Sequence, residues 1–95
     1  MFNISLQNSN EVFLSGSFNA SETDKANSVL NEIRNNCTID FKDLVYISSA
    51  GLGAILNLHV RLKKDGLSIK MINMNKHIRE VFKYSGLDKV LMIED

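Results

Sequence analysis

Phe2, Ile4 and Leu6 alternate with Asn3, Ser5 and Gln7, the two-residue period of a half-buried strand. Asn8-Ser9-Asn10 reads as a turn, and Val12-Phe13-Leu14 resumes as a second strand, so the pair predicts an antiparallel hairpin. Gly16 is expected to close that strand. The period then changes. Ala26, Val29, Leu30 and Ile33 recur at i, i+3, i+4 and i+7, which predicts one amphipathic helix over about 20–35. Asn19 and Ser21 are candidate N-caps for it, and Ser21-Glu22-Thr23-Asp24 approximates a capping box with Asp in the place of Glu. After Asn35-Asn36, Cys37-Thr38-Ile39-Asp40-Phe41 supplies a strand. A right-handed crossover then sets it parallel to the strand before the helix.

The stretch Ile39 to Gly53 organises the rest. It begins as a buried strand, crosses a polar connection and launches a second helix, about 50–64, whose apolar side is Leu52, Ile55, Leu56 and Leu62. Asp65-Gly66 stops that helix. Leu67 to Ile72 is a fourth strand. Asn73 or Asn75 caps a third helix, about 75–84, with Ile78, Val81 and Phe82 inward and Ser85-Gly86 at its end. Val90 to Ile93 is a short last strand or a tail on the core. The fold class is α/β, a small mixed sheet of four or five strands with three helices mainly on one side. Loops at the carboxyl ends of parallel strands form the working end of such sheets. Here they are expected at Ser17–Ser21 and Lys42–Gly51, close together.

Composition narrows the function. Residues 1–95 predict one domain with one modest core, 44% of the chain being hydrophobic. Lys plus Arg and Asp plus Glu are 11 each, and this balance argues against nucleic acid or an anionic membrane as partner. Cys37 is the single cysteine and His59 and His77 the two histidines, so neither a disulfide nor a zinc-ligand spacing is available and a cytoplasmic setting is expected. No apolar run reaches the roughly 18–20 residues of a membrane helix, and the N-terminal alternation is unlike a signal peptide.

Chemistry concentrates at Ser48-Ser49-Ala50-Gly51-Leu52-Gly53. The first N–H groups of a helix lack partners and carry partial positive charge, so a serine there caps the helix or receives a phosphate. Gly-Leu-Gly has neither the spacing of a P-loop nor that of a dinucleotide fingerprint. Gly51 and Gly53 either let a partner approach the backbone or only permit packing.

The run Tyr46 to Gly53 resembles the signature of STAS domains, the sulphate transporter and anti-sigma factor antagonist family. Ile39-Asp40-Phe41 and His77 to Leu87 fall where that family has a strand and its last long helix. The resemblance implies an anti-sigma factor antagonist, a partner-switching regulator rather than an enzyme. Unphosphorylated, it binds an anti-sigma factor that is also a serine kinase using ATP, and a PP2C-type phosphatase reverses the phosphorylation. The family register places the phosphoserine at Ser49, with Ser48 as the alternative acceptor. Ser17, Asn19, Ala20, Ser21, Ser48, Ser49, Gly51, Gly53 and Asn57 are the implied partner-binding set. Phosphorylatable members usually carry Asp where this chain has Ser48, and an acidic residue often stands at Asn19. A second implied class is a constitutive interaction module, such as the small cytoplasmic STAS subunit of a lipid-transport ABC system.

No catalytic residue, metal site or cofactor is assigned. Ser49 as an enzyme nucleophile has no base beside it in sequence and no Gly-x-Ser-x-Gly elbow. His59 reads as a partly buried packing residue and His77 as an exposed one in the first turn of its helix. Asp40 and Asp43 are carboxylates expected near the serine loop, in capping or loop roles. Lys63, Lys64 and Lys83 read as a solvated face.

Overall fold

The computed structural model describes residues 1–94. Strands β1 (Phe2–Gln7) and β2 (Glu11–Phe18) lead through a 3₁₀ turn at Ala20–Glu22 into helix α1 (Thr23–Leu30). Strand β3 (Cys37–Ile47), helix α2 (Ser49–Lys64), β4 (Ile69–Ile72) and α3 (Lys76–Tyr84) follow. A second 3₁₀ turn at Leu87–Lys89 precedes β5 (Met92–Ile93). The five strands lie in chain order across one sheet. β1 and β2 are antiparallel, and the other neighbours are parallel. The predicted α/β class, hairpin and parallel crossovers are all present.

Asn8 and Ser9 both hold positive φ and Asn10 N–H donates to the Gln7 carbonyl at 3.2 Å, a geometry whose twist matches that of the flanking strands. Asn75 caps α3 by accepting from Ile78 N–H at 2.8 Å. Asn73 instead takes φ +61° in the preceding turn and donates to Asp40.

One face of the sheet carries the core. Phe18, Ile39, Phe41 and Met71 are fully buried against Ala26, Leu62, Ile78 and Phe82 from the helices. Phe2 stacks on Phe18 with centroids 4.5 Å apart, and Phe41 meets Phe82 edge-on at 5.7 Å, both within the favourable range for aromatic pairs.

Three expectations are corrected. Gly16 does not close β2. It takes φ +80° inside the strand, where a Cβ would lie 1.5 Å from the Met1 carbonyl oxygen, and the strand continues to Phe18. The first helix is shorter than 20–35. Its lead-in is 3₁₀, and neither Asn19 nor Ser21 makes a side-chain cap, while Thr23 Oγ1 donates to the Ala20 carbonyl. Its end comes at Leu30 because Arg61 of α2 donates to the carbonyls of Leu30 and Ile33, both at 2.8 Å, and holds the chain in a turn that still buries Ile33. Lys42 to Ile47 is strand, not loop. The register passes from Phe13↔Asp40 to Ser15↔Asp43 and from Gly16↔Leu44 to Ser17↔Tyr46, so β3 holds one extra residue at each of two bulges. Phe41, Leu44 and Ile47 therefore point inward at a spacing of three, a pattern that hides the strand from a search for alternation.

Candidate functional site

Parallel pairing brings the end of β2 beside the end of β3, with Phe18 opposite Ile47. Ser48 N–H donates to the Phe18 carbonyl at 2.9 Å, which fastens the start of α2 to the turn leaving β2. Ser17, Asn19, Ala20 and Ser21 thereby come to the same end of the molecule as Ser48 and Ser49, and the Ala20–Glu22 turn packs on α2. This end forms where the sequence placed it. The connection from β3 is a single residue, Ser48, and not the ten-residue loop expected.

The two serines divide the tasks. Ser48 has extended backbone, φ −84° and ψ 168°, and its Oγ accepts from Gly51 N–H at 3.1 Å, so Ser48 is the N-cap. Ser49 is the first helical residue and is exposed, and among the described residues its hydroxyl has no hydrogen-bond partner. The hydroxyl stands in the positive end of a sixteen-residue helix, where a phosphate is electrostatically favoured. The glycines divide as well. A Cβ on Gly51 would lie 2.8 Å from Ile47 Cγ1 and 3.1 Å from the Phe18 ring, so this buried glycine lets α2 seat on the sheet. Nothing lies within 4 Å of the Cβ position of Gly53.

Asn57 is exposed two turns further along α2. It shares a cleft of about 130 Å³ between α1 and α2 with Asn27, Asn31 and Arg61. Two residues that sequence reading missed stand beside the serines: Val45 is 66% exposed and Tyr46 44%. They project from the end of β3 because of its second bulge, and bulges next to sites commonly re-aim side chains. Only the inward spacing of Phe41, Leu44 and Ile47 signals them.

Asp40 does not belong to the serine end. It accepts from Lys42 N–H at 2.8 Å and from Asn73 Nδ2 at 3.1 Å, mid-strand on the side of the sheet away from the helices. His59 lies half-buried on α2, ten residues beyond Ser49, a separation of about 15 Å along a helix, and cannot serve Ser49 as a base. His77 is exposed. Cys37 is buried, which pushes its thiol from 9.0 to about 11. Among the described residues no group of three or more His, Cys, Asp or Glu is placed to hold a metal ion. Nor is any helix among them long and apolar enough to cross a membrane.

The family model described as "Mlab, STAS domain" matches residues 6–94. This chain belongs to the STAS family. A curated STAS relative, the anti-sigma-B factor antagonist of Bacillus subtilis (strain 168), is 33% identical over 55 residues, 58% of this chain and 50% of the relative. The match thus takes in about half the length of that protein. A Thermotoga maritima structure described as a candidate anti-sigma factor antagonist has a TM-score of 0.81 at 22% identity, covering all of this chain and 86% of that one. SpoIIAA, an anti-sigma factor antagonist, matches in its unphosphorylated form with a TM-score of 0.72 at 14% identity over 88% of its length. The phosphorylated form from Bacillus matches at 0.70 and 18% identity over 92%. All of this chain is covered in both cases, and the STAS fold is the property shared.

Proposed function

We propose that this STAS domain is an anti-sigma factor antagonist that switches partners through Ser49. The observation that supports it is the separation of roles at the start of α2: Ser48 carries the cap, which leaves the neighbouring hydroxyl exposed and unbonded at the positive end of the helix. Unphosphorylated, the end formed by Ser17, Asn19, Ala20, Ser21, Ser49 and, further along α2, Gly53 and Asn57 docks an anti-sigma factor serine kinase. The kinase brings ATP, and a PP2C-type phosphatase reverses the transfer. Phosphate on Ser49 adds about −1.5 to −2 charges at pH 7. The helix N-terminus accommodates this charge, so the fold persists and the docked partner is repelled. In this role the protein is a cytoplasmic single-domain ligand and substrate, with no catalytic residue, cofactor or metal of its own.

The testing experiment is intact-mass and site-mapping spectrometry on protein taken from its native cells, beside Ser49→Ala and Ser48→Ala. One phosphoryl group on Ser49, absent only in Ser49→Ala, is the expected result. Phosphate on Ser48 would move the acceptor by one residue. No phosphate in growing or stressed cells would overturn the switch.

One observation favours a second reading, a constitutive interaction module. Where phosphorylatable relatives usually carry Asp this chain has Ser48, whose oxygen is already engaged as a cap, and the matched family bears the name Mlab. A stable complex with a lipid-transport ABC subunit, unchanged by Ser49→Ala, would select that reading.

A further inference from the structure

The C-terminal half of α2 carries a surface that the Ser49 end does not use. Leu56, His59, Val60, Lys63 and Lys64 recur at i, i+3, i+4, i+7 and i+8, and with Val90 they line a groove of about 330 Å³. Such spacing is one stripe of a helix, about 12 Å long over these eight steps. Val60 is 47% exposed and Val90 53%, so the groove is a shallow apolar trough, too open to enclose a small molecule, which typically loses 70–90% of its surface on binding.

One further observation, the charge of the lining, bears on the occupant. The groove is lined by two ammonium groups and no carboxylate. Among the described residues neither lysine is ion-paired, whereas Lys70 pairs with Glu94. The nearest acids in sequence are Asp65 and Asp88, which lie outside the lining.

We propose that this groove docks an acidic amphipathic helix of a partner protein, separate from the Ser49 partner. The incoming helix lays apolar side chains at i, i+3 and i+4 against Leu56, Val60 and Val90, the helix-in-groove mode of recognition. Its carboxylates meet Lys63 and Lys64. Val60 lies eleven residues from Ser49 on the same helix, about 16 Å, beyond the Debye length of about 8 Å at physiological salt. Docking in the groove is therefore independent of phosphorylation at Ser49.

The test titrates a synthetic helical peptide of about 14 residues, long enough to be helical in part, into isotope-labelled full-length protein. Leucines line one face of the peptide and glutamate and glutamine fill the rest. Expected are amide shifts confined to residues 56–64 and 87–91, weakened about fivefold or more by the double variant Lys63→Glu/Lys64→Glu, abolished by Val60→Asp and unchanged in Ser49→Asp. Each variant is surface-placed, and its unperturbed amide spectrum away from the groove verifies folding. Equal shifts with a peptide bearing lysine for glutamate, shifts elsewhere on the molecule, or none would overturn the proposal. So would groove shifts that follow protein concentration without peptide, because the occupant would then be a second copy. The readout is independent of whether Ser49 is phosphorylated, so either reading can fail alone.

Discussion

At the scale of single residues, α2 begins with two serines and two glycines that read alike in sequence and act differently in space. Gly51 and Gly53 are both helical, yet one faces Ile47 and Phe18 and the other faces open space. Gly51→Ala is expected to destabilise the protein by about 1–3 kcal/mol through overpacking. Gly53→Ala is expected to stabilise it by up to about 1 kcal/mol through helix propensity. Urea unfolding of the two variants measures both, and equal effects would contradict the placement of α2 on the sheet. That a serine caps α2 was legible. Which one caps was not, because that depends on which oxygen reaches Gly51 N–H once Ser48 is tied to Phe18.

At the scale of elements, Arg61 joins three segments. It sits on α2, ends α1 and turns the chain toward β3 by donating to the carbonyls of Ile33 and of Leu30, the latter also accepting from Ile33 N–H. Charge-assisted bonds of this kind contribute more than neutral ones. Arg61→Ala is expected to cost about 1–3 kcal/mol and to raise hydrogen exchange selectively at residues 30–34. Arg61→Lys should recover less than half of the loss, because an ammonium lacks the planar fork. Uniform exchange across the molecule would show that Arg61 does not hold the end of α1. Sequence periodicity extended α1 to residue 35 because Ile33 keeps the helical spacing and is indeed buried, but by a turn. The same kind of error shortened β3, whose bulges convert alternation into a spacing of three.

At the scale of the whole molecule, all three helices cover one face of the sheet, and the other face carries polar side chains such as Asp40 and Lys42. Cys37 lies under that cover, and desolvation raises its thiol to about 11. The unfolded chain releases this proton near the ordinary value of 9.0, so between pH 9 and 11 the native state binds one proton more and stability falls as pH rises. Below pH 9 both states hold the proton and the thiol adds no pH dependence. Chemical denaturation at steps across that window is expected to show the decline in the native protein and a shallower one in Cys37→Val. Identical slopes would place the thiol in water. Slow reaction of Cys37 with thiol reagents at neutral pH follows from the same burial.

The amino-acid sequence by itself determined the order of strands and helices, the hairpin turn at Asn8-Ser9-Asn10, an asparagine cap at Asn73 or Asn75 and the position of the serines at the start of α2. These rest on short-range patterns in which each residue's period, turn preference or cap is satisfied by neighbours a few positions away. The tertiary structure alone decided where β3 ends, where α1 stops, which glycine is indispensable and how Val45 and Tyr46 stand beside Ser49. Each of these depends on a contact between segments distant in sequence: a sheet register, the reach of Arg61, or the closeness of Phe18 to Gly51. The groove between α2 and Val90 belongs to the same class. Its stripe was present in the sequence, but the residue that makes it a groove lies 26 positions beyond Lys64, and only folding brings the two together.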